Sequence, residues 1–226
     1  MTIRINKFLT NANFCSRRAA DRLIEAKKIR INNRLAVLGD KVGETDHIFV
    51  DGKEIKSSET EKIYLAFNKP IGVICTTDKN SPNNIVDYIK YPERVYPIGR
   101  LDVSSSGLIL LTNDGELVNK ILKAQEKIEK EYIVDIDKTI NAEFIKKMQK
   151  SFYIDGQKTI PAHVTQIADR RFSVIITQGK KRQVRRMCEK LGVNVIKLHR
   201  IRIGKLSVDN LRIGEHKKIL KSDILC

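Results

Sequence analysis

The sequence has few cysteines and no long apolar segment. Its four cysteines, Cys15, Cys75, Cys188 and Cys226, are far apart and form no C-x-x-C pair. The pattern predicts neither a disulfide framework nor a zinc site, which suits a reducing compartment. No apolar run approaches the roughly 18 residues of a membrane-spanning helix, and the N-terminus lacks a signal-peptide core. We therefore expect a soluble cytoplasmic protein that binds no metal and no membrane.

Positive charge is in excess and is concentrated near the C-terminus. The formal net charge of the 226-residue chain is +16. Residues 179–226 carry 14 Lys or Arg against 4 Asp or Glu, whereas residues 63–178 carry 16 against 14 and residues 1–62 carry 13 against 9. A basic block of this size favours a polyanionic partner. The charge alone can also be explained by a basic surface that only keeps the protein soluble.

Hydrophobic periodicity divides the chain into a small module and a larger domain. Residues 1–56 predict two helices and then short strands, with Ser16 placed to cap the second helix. The polar segment 57–62 is predicted to be a linker, and residues 63–226 alternate strand-like and helical runs. The predicted class is α+β with a mixed, mostly antiparallel sheet. The predicted strands of the larger domain are Ile63–Asn68, Leu108–Thr112, Tyr132–Ile136 and Phe172–Thr177. Its predicted helices are Glu116–Leu122, Asn141–Lys150 and Arg182–Leu191.

The second predicted helix combines an apolar face with a dense positive strip. The apolar face consists of Ala20, Leu23 and Ile24. The strip, called here the N-terminal strip, consists of Arg17, Arg18, Arg22, Lys27 and Lys28. It suits contact with successive phosphates of an RNA stem, although a solvated helix face is the simpler explanation of such a run. Residues 4–54 as a whole resemble an S4 (α-L-like) RNA-binding domain, which implies that the strip binds RNA.

A loop with Arg-x-Asp spacing precedes a continuous apolar strand. The loop carries Arg100 and Asp102 within the run PIGRLDVSSSGLILLTNDG, residues 97–115. The end of a buried strand holds a reactive group rigidly. Gly107 allows a close backbone approach or a sharp bend. Taken without context, a structural Arg–Asp pair at the base of a loop is the more common explanation.

A basic amphipathic helix is predicted in the C-terminal region. Its apolar residues recur at i, i+3, i+4 and i+7, which predicts a buried stripe. The stripe consists of Val184, Met187, Cys188 and Leu191. The opposite face carries Arg182, Arg186 and Lys190, with Arg185 near its edge. A helix of this kind can be an ordinary surface helix, or it can bind membrane lipid. Lipid binding would need the apolar stripe, which the protein core also needs.

These runs together resemble ribosomal RNA pseudouridine synthases of the RsuA/RluB/RluE/RluF type. The similarity spans residues 3–222 and is strongest in GRLD, residues 99–102, with Gly107 and the TNDG tail, residues 112–115. Shorter matches are residues 68–72, 84–87 and 197–204. The residues of several of these segments are most similar to the RluF branch, which implies 23S rRNA as substrate. The resemblance implies an S4 domain joined to a catalytic domain that isomerises a flipped-out uridine without a cofactor.

The resemblance also implies roles for individual residues. Asp102 takes the position of the catalytic aspartate, an expected nucleophile, and Arg185 that of the basic residue which reaches it. Tyr132 matches the tyrosine that stacks on the target base. A guanidinium near a buried carboxylate favours its charged form, which gives the expected pairing a physical reason. Arg100 and Leu198 are expected to support the site, and Arg182 and Arg186 are expected to bind RNA.

Two other functions fit parts of the sequence. A non-catalytic ribosome assembly factor would use the N-terminal module and the basic C-terminal block, but it would not need Asp102, Tyr132 and Arg185 together. A synthase acting on 16S rRNA would carry the same site. We expect the protein to be a monomer. The chemical route, which is covalent attack by the carboxylate or elimination at the sugar, is left open by the sequence.

Overall fold

The computed structural model describes residues 2–56, 61–122 and 128–224, and the chain divides into two compact units, residues 1–62 and 63–226. The predicted linker, residues 57–62, lies largely outside the described residues and stays a prediction. Cys15, Cys75 and Cys188 are not part of a disulfide. None of the described helices has the length and apolar character that a bilayer crossing requires.

The N-terminal unit packs two short helices against small antiparallel sheets. The helices are α1 (Ile5–Asn11) and α2 (Arg17–Glu25), and the strands are β1 (Ile3–Arg4), β2 (Ile29–Ile31), β3 (Arg34–Leu35), β4 (Lys41–Val42), β5 (Ile48–Val50) and β6 (Lys53–Glu54). The strand order is β3-β2-β5-β6, with β1 paired to β4. Ser16 caps α2 as predicted, because its Oγ accepts a hydrogen bond from the Ala19 amide at 3.2 Å. Ala20 and Ile24 are buried in the core of this unit.

The C-terminal unit is built on one nine-stranded sheet. Its strands are β7 (Tyr64–Lys69), β8 (Tyr96–Ile98), β9 (Ser106–Thr112), β10 (Lys130–Ile136), β13 (His163–Ala168), β14 (Arg171–Ile176), β15 (Val195–Ile203), β16 (Leu206–Ser207) and β17 (His216–Lys218), and β11 (Tyr153–Ile154) and β12 (Gln157–Lys158) form a separate hairpin. The main order is β13-β14-β10-β15-β9-β7-β17, with β16 beside β15 and β8 beside β9. All of these pairs are antiparallel except β9 with β15. The predicted α+β class with a mixed, mostly antiparallel sheet is confirmed.

Helices cover both faces of this sheet. They are α3 (Ile85–Ile89), α4 (Gly115–Leu122), α5 (Ala142–Met148), α6 (Gln183–Lys190) and α7 (Lys221–Ile224). Side chains of β9 alternate between two hydrophobic cores. Ile109 and Leu111 belong to the core that includes α3, α5 and α6, and Leu108 and Leu110 belong to the core that includes α4 and α7. A strand buried on both faces reads as a continuous apolar run, as this one does.

The parallel pair in the middle of the sheet is short. Strands β9 and β15 pair only at Ser106 with His199 and at Gly107 with Arg200. Gly107 has φ +110°, and a Cβ atom built there would overlap the backbone of Arg200. The close backbone approach predicted at Gly107 is therefore confirmed. Ser106 Oγ and His199 Nδ1 lie 2.9 Å apart and link the strands a second time.

Candidate active site

Asp102 lies in the loop between β8 and β9, where it borders two surface cavities. One cavity, called here the main cavity, has a volume of about 490 Å³, and the second has about 730 Å³. Two amides of the loop donate hydrogen bonds that hold it: the Leu101 amide to Cys75 Sγ at 3.4 Å and the Ser105 amide to the Asp102 carbonyl at 3.0 Å. The half-buried carboxylate is thus presented by a fixed loop at the shared edge of the two cavities.

The main cavity brings together most of the residues predicted for the site. Tyr132 on β10 and Leu198 on β15 line it together with Arg100, Asp102 and Arg182. Strands β10 and β15 are neighbours, so the two side chains come from adjacent strands at the floor of the cavity. Tyr132 is only 7% exposed. The floor therefore places an aromatic side chain and an aliphatic side chain in the same cavity as Asp102.

Arg185 lies beneath the loop that carries Asp102. Its guanidinium donates to the Ser104 carbonyl at 2.9 Å, to Ser105 Oγ at 3.3 Å and to the Val195 carbonyl at 3.1 Å. Helical spacing placed it near the edge of the exposed face, and this was wrong, because Arg185 is 6% exposed. Burial lowers the pKa of Arg185, and the Asp102 carboxylate acts in the opposite direction through space.

Arg185 and Asp102 do not form an ion pair within 4 Å in the described part of the chain. The guanidinium instead holds the backbone of the same loop through the Ser104 and Ser105 contacts. In this arrangement it combines a nearby positive charge with direct support of the loop conformation.

The predicted RNA-binding arginines of α6 differ in their surroundings. Arg182 is exposed, borders both cavities and lies 3.7 Å from Glu189. Arg186 instead forms a bidentate pair with Asp155, at 2.8 and 2.6 Å, and this pair lowers the pKa of Asp155. All five residues of the N-terminal strip are exposed. Within that strip, Lys28 lies 3.6 Å from Asp51.

Three cations at or near the cavity were not singled out from the sequence. Arg200 is 4% exposed and donates from Nε to the Leu108 carbonyl at 2.6 Å and from Nη1 to Tyr132 Oη at 3.4 Å. Lys130 donates to the carbonyls of Ile128 and Thr177, at 3.0 and 3.2 Å.

The third cation, Lys69, is fully buried and donates to the carbonyls of Pro70 and Val73, at 2.8 and 2.9 Å. Burial lowers the pKa of Lys69, which Cys75 and Asp102 partly oppose. Side chains two residues apart in a strand lie on the same face of the sheet. On β10 this spacing relates Lys130 to Tyr132, and on β15 it relates Arg200 to Leu198. The alternation could therefore have identified Lys130 and Arg200 from the sequence, but not Lys69.

The main cavity is strongly positive. Among the described residues that line it, Asp102 is the one acidic side chain. Six lining residues carry Lys or Arg side chains, namely Arg100, Lys130, Lys180, Lys181, Arg182 and Arg200. No group of three or more His, Cys, Asp or Glu side chains in the described ranges is arranged to hold a metal ion. The arrangement fits a cavity that receives part of a polyanion and presents one carboxylate to it.

Comparisons with known proteins agree with this geometry. The family described as RNA pseudouridylate synthase matches residues 63–190, and the S4 domain family matches residues 3–48. The chain is 42% identical over 225 residues to the dual-specificity RNA pseudouridine synthase RluF of Escherichia coli K12, covering 99% of this chain and 78% of the relative. It is 35% identical to the ribosomal large subunit pseudouridine synthase B of Bacillus subtilis, covering 98% and 93%.

A solved structure supports the same relationship across both units. A crystal structure of a pseudouridylate synthase, 28% identical in sequence, superposes with a TM-score of 0.71 and covers 98% of each chain. The S4 and synthase folds expected from the sequence are therefore both confirmed.

Proposed function

The chain belongs to the RNA pseudouridylate synthase family and carries an S4 domain, and from this premise we propose that it isomerises a specific uridine of ribosomal RNA with Asp102 as the catalytic carboxylate. The enzyme class and the isomerisation of uridine in RNA follow from the family. The observation that supports Asp102 is its position as the one acidic side chain among the described residues of the main cavity.

The reaction needs a base that has left its helix. Unstacking and flipping a nucleotide costs a few kcal/mol, and stacking on an aromatic side chain recovers about 1–3 kcal/mol. Tyr132 provides such a ring at the floor of the cavity, and Leu198 lies beside it on the neighbouring strand. The target uracil would lie against Tyr132, with its ribose toward Asp102.

Asp102 would act at the sugar or at the base while the bond from C1′ to N1 breaks. The uracil then turns, and C5 bonds to C1′. A carboxylate near the sugar stabilises the positive character that develops there, and it can also form a covalent intermediate. Arg185 would support this step by holding Ser104 and Ser105 and by its charge.

Ribosomal RNA of the large subunit is the proposed substrate. The resemblance to the RluF branch and the name of the Bacillus relative support a 23S target. We also propose that the enzyme acts in the cytoplasm as a monomer. The exposed cations of the cavity rim and the N-terminal strip would contact RNA phosphates, which fix the position of the RNA without reading its sequence.

The decisive experiment replaces Asp102 in a strain that lacks the chromosomal gene. Wild type should restore one pseudouridine in 23S rRNA, mapped by carbodiimide modification and primer extension. Asp102→Asn should restore none, with its rate reduced at least about 1,000-fold while RNA affinity stays within a few-fold. The control is Asp209→Asn, a surface aspartate outside the site, which should behave as wild type.

The outcomes separate the competing functions. Near wild-type modification by Asp102→Asn would overturn the catalytic assignment. A pseudouridine that disappears from 16S rRNA on gene deletion, with 23S rRNA unchanged, would support the small-subunit alternative instead. Since the Escherichia coli relative is named a dual-specificity enzyme, the mapping should include the other stable RNAs. Loss of no pseudouridine at all would favour the assembly factor.

A further inference from the structure

Among the residues that the structure describes, two cations in the wall of the main cavity have no acidic partner. Arg200 and Lys130 donate only to neutral oxygens, which are backbone carbonyls and the hydroxyl of Tyr132. Arg200 Nη2 is buried and, within the described residues, has no hydrogen-bond partner at all. The guanidinium also lies over the Tyr132 ring, with Cζ 5.9 Å from its centroid. One donor group of a buried charge is therefore unused beside the ring on which the base is proposed to stack.

A buried charge without a counter-charge is costly to keep. Removing a guanidinium from water is compensated in most proteins by a carboxylate or by complete hydrogen bonding. Here Arg200 and Lys130 are also close enough to act on each other, since burial first and then Arg200 lower the pKa of Lys130. Two cations that lie close together in one cavity wall, without a carboxylate among the described residues to pair with them, indicate a site prepared for negative charge.

The surroundings of these cations favour a nucleobase over a phosphate as the source of that charge. Ile98, Leu110 and Ile203 line the same cavity and would stay dry beside an aromatic base. The exposed cations Lys181 and Arg182 are better placed for phosphates, which remain hydrated. Uracil offers carbonyl oxygens O2 and O4, and it becomes negatively charged when its bond to the sugar breaks.

The electron count identifies when that charge exists. As the C1′–N1 bond breaks, its electron pair stays on uracil, and the negative charge is shared among N1, O2 and O4. The sugar is meanwhile bonded to the Asp102 carboxylate or has lost a proton from C2′. When C5 bonds to C1′, the electron pair of the anion forms the new bond. In the first case the C1′–oxygen bond to Asp102 breaks and the carboxylate regains its charge, and in the second case C2′ takes back its proton. The C5 proton then leaves, and N1 takes up a proton. Between these events a free anion must be kept in the cavity and allowed to turn.

We propose that Arg200, assisted by Lys130, stabilises the detached uracil anion and retains it in the main cavity while it turns. This inference rests on the proposed function and adds a role for two residues that bind no phosphate. Stabilisation that acts only once charge has developed raises the rate of the chemical step without tightening RNA binding.

A purely structural role for Arg200 makes different predictions. Its Nε bond to the Leu108 carbonyl lies next to the place where β9 leaves β15, so the residue also supports the sheet. If that were its whole role, Arg200→Lys and Arg200→Gln would be equally impaired, and the loss of rate would follow the loss of thermal stability. If the charge matters, Lys should retain much more activity than Gln at similar stability.

The test compares full-length variants in single-turnover reactions at saturating substrate RNA. Arg200→Gln should reduce the rate about 100-fold and Lys130→Gln about 10-fold, with the Kd for RNA within two-fold of wild type. Arg200→Lys should recover at least 10-fold over Arg200→Gln. The control is Arg202→Gln, two residues along the same strand, where Glu129 and Glu131 already pair with the guanidinium. It should leave the rate unchanged.

A second substrate makes the test specific for charge on the base. In RNA that carries 5-fluorouridine at the target, fluorine stabilises the uracil anion, so the defect of Arg200→Gln in consuming that nucleoside should shrink several-fold. Equal defects on both substrates would overturn the proposal, as would a weakened Kd with an unchanged rate. If Arg200→Gln fails to fold, Lys130→Gln carries the same comparison. The proposed function itself fails separately, through an active Asp102→Asn variant.

Discussion

The N-terminal strip and the buried arginines of the C-terminal unit hold their positive charges in opposite ways. In the N-terminal strip, Arg17, Arg18 and Arg22 project from one helix into solvent while its other face is buried. In the C-terminal unit, Arg185 and Arg200 are buried and are held by backbone carbonyls. Exposed charges act over about a Debye length and are screened by salt, whereas buried charges are screened little. The exposed arginines are therefore suited to bind RNA of any sequence, and the buried arginines are suited to stabilise charge in one chemical step.

We expect this difference to separate binding from catalysis within one chain. Phosphate contacts contribute affinity that falls steeply with salt, so the strip should control how much RNA is bound. A cation that is fixed before the substrate arrives stabilises charge without reorganising, so the buried set should control the rate. The following changes test whether the separation is real, beginning with the one expected to have the largest effect.

Replacing Arg185 tests the buried arginines, and we expect it to have the largest effect. Arg185→Gln removes the charge near Asp102 and leaves the Ser104 and Val195 carbonyls without their donors, a loss of about 1–3 kcal/mol in the free energy of unfolding. We expect the single-turnover rate to fall at least about 100-fold with little change in the Kd for RNA. Arg186→Gln, on the same helix but paired at the surface with Asp155, should cost at most about 1 kcal/mol and keep the rate within a few-fold. Comparable loss of rate in both variants would contradict this view.

Neutralising the strip should have the converse effect. The combined variant Arg17→Gln, Arg18→Gln and Arg22→Gln should weaken RNA binding about 10-fold or more near physiological salt. The slope of log Kd against log salt should fall by about 0.7–0.9 for each phosphate that the variant no longer binds. The rate at saturating RNA should not change. Arg34→Gln, which removes an exposed arginine of the same unit that contacts Asp40 and the Leu35 carbonyl, is the matched control. A salt slope that stays at the wild-type value would show that the strip does not contact phosphates.

The smallest effect is a loss of stability in mild acid that arises in the C-terminal unit. Burial, reinforced by Lys197, lowers the pKa of His199 below its usual 6.5. The unfolded chain therefore binds a proton more readily than the folded one. The stabilisation is complete above pH 6.5 and is lost as pH falls toward the folded-state pKa. Thermal unfolding measured between pH 7.5 and 5 should show this, and His199→Gln should make the unfolding temperature less sensitive to acid. An unchanged pH profile in that variant would assign the sensitivity to other groups.

The sequence predicts those features that depend on local pattern. The Ser16 cap, the apolar face of α2 and the stripe of α6 follow from spacing alone. The strands and helices that were predicted for the larger domain lie within one or two residues of the observed ones. The GRLD loop predicts Asp102 through its resemblance to a family, because an Arg-x-Asp pair has no single physical meaning. Its role as the catalytic residue stays a proposal.

Features set by distant packing were beyond sequence reading. Helix α3 has five residues, too few for a periodic signal, and β15 has a pattern interrupted by Lys197 and Arg200, which made it unlike a buried strand. Arg185 became buried because a loop from elsewhere in the chain covers it, an arrangement that helical spacing does not contain. Cations in strands are usually placed toward solvent, so only the assembled sheet shows Arg200 facing a cavity.

The short parallel junction between β9 and β15 also determines when the site can form during synthesis. Ser106 and His199 are 93 residues apart in the chain, so their pairing closes a long loop and has high contact order. The N-terminal unit has none of this delay, because its strands and helices lie within the first 62 residues. Domains tend to fold in order as the ribosome releases them. A nascent chain would thus carry a folded S4 domain before the strands that complete the main cavity have been synthesised, so contact with RNA could precede completion of the cavity.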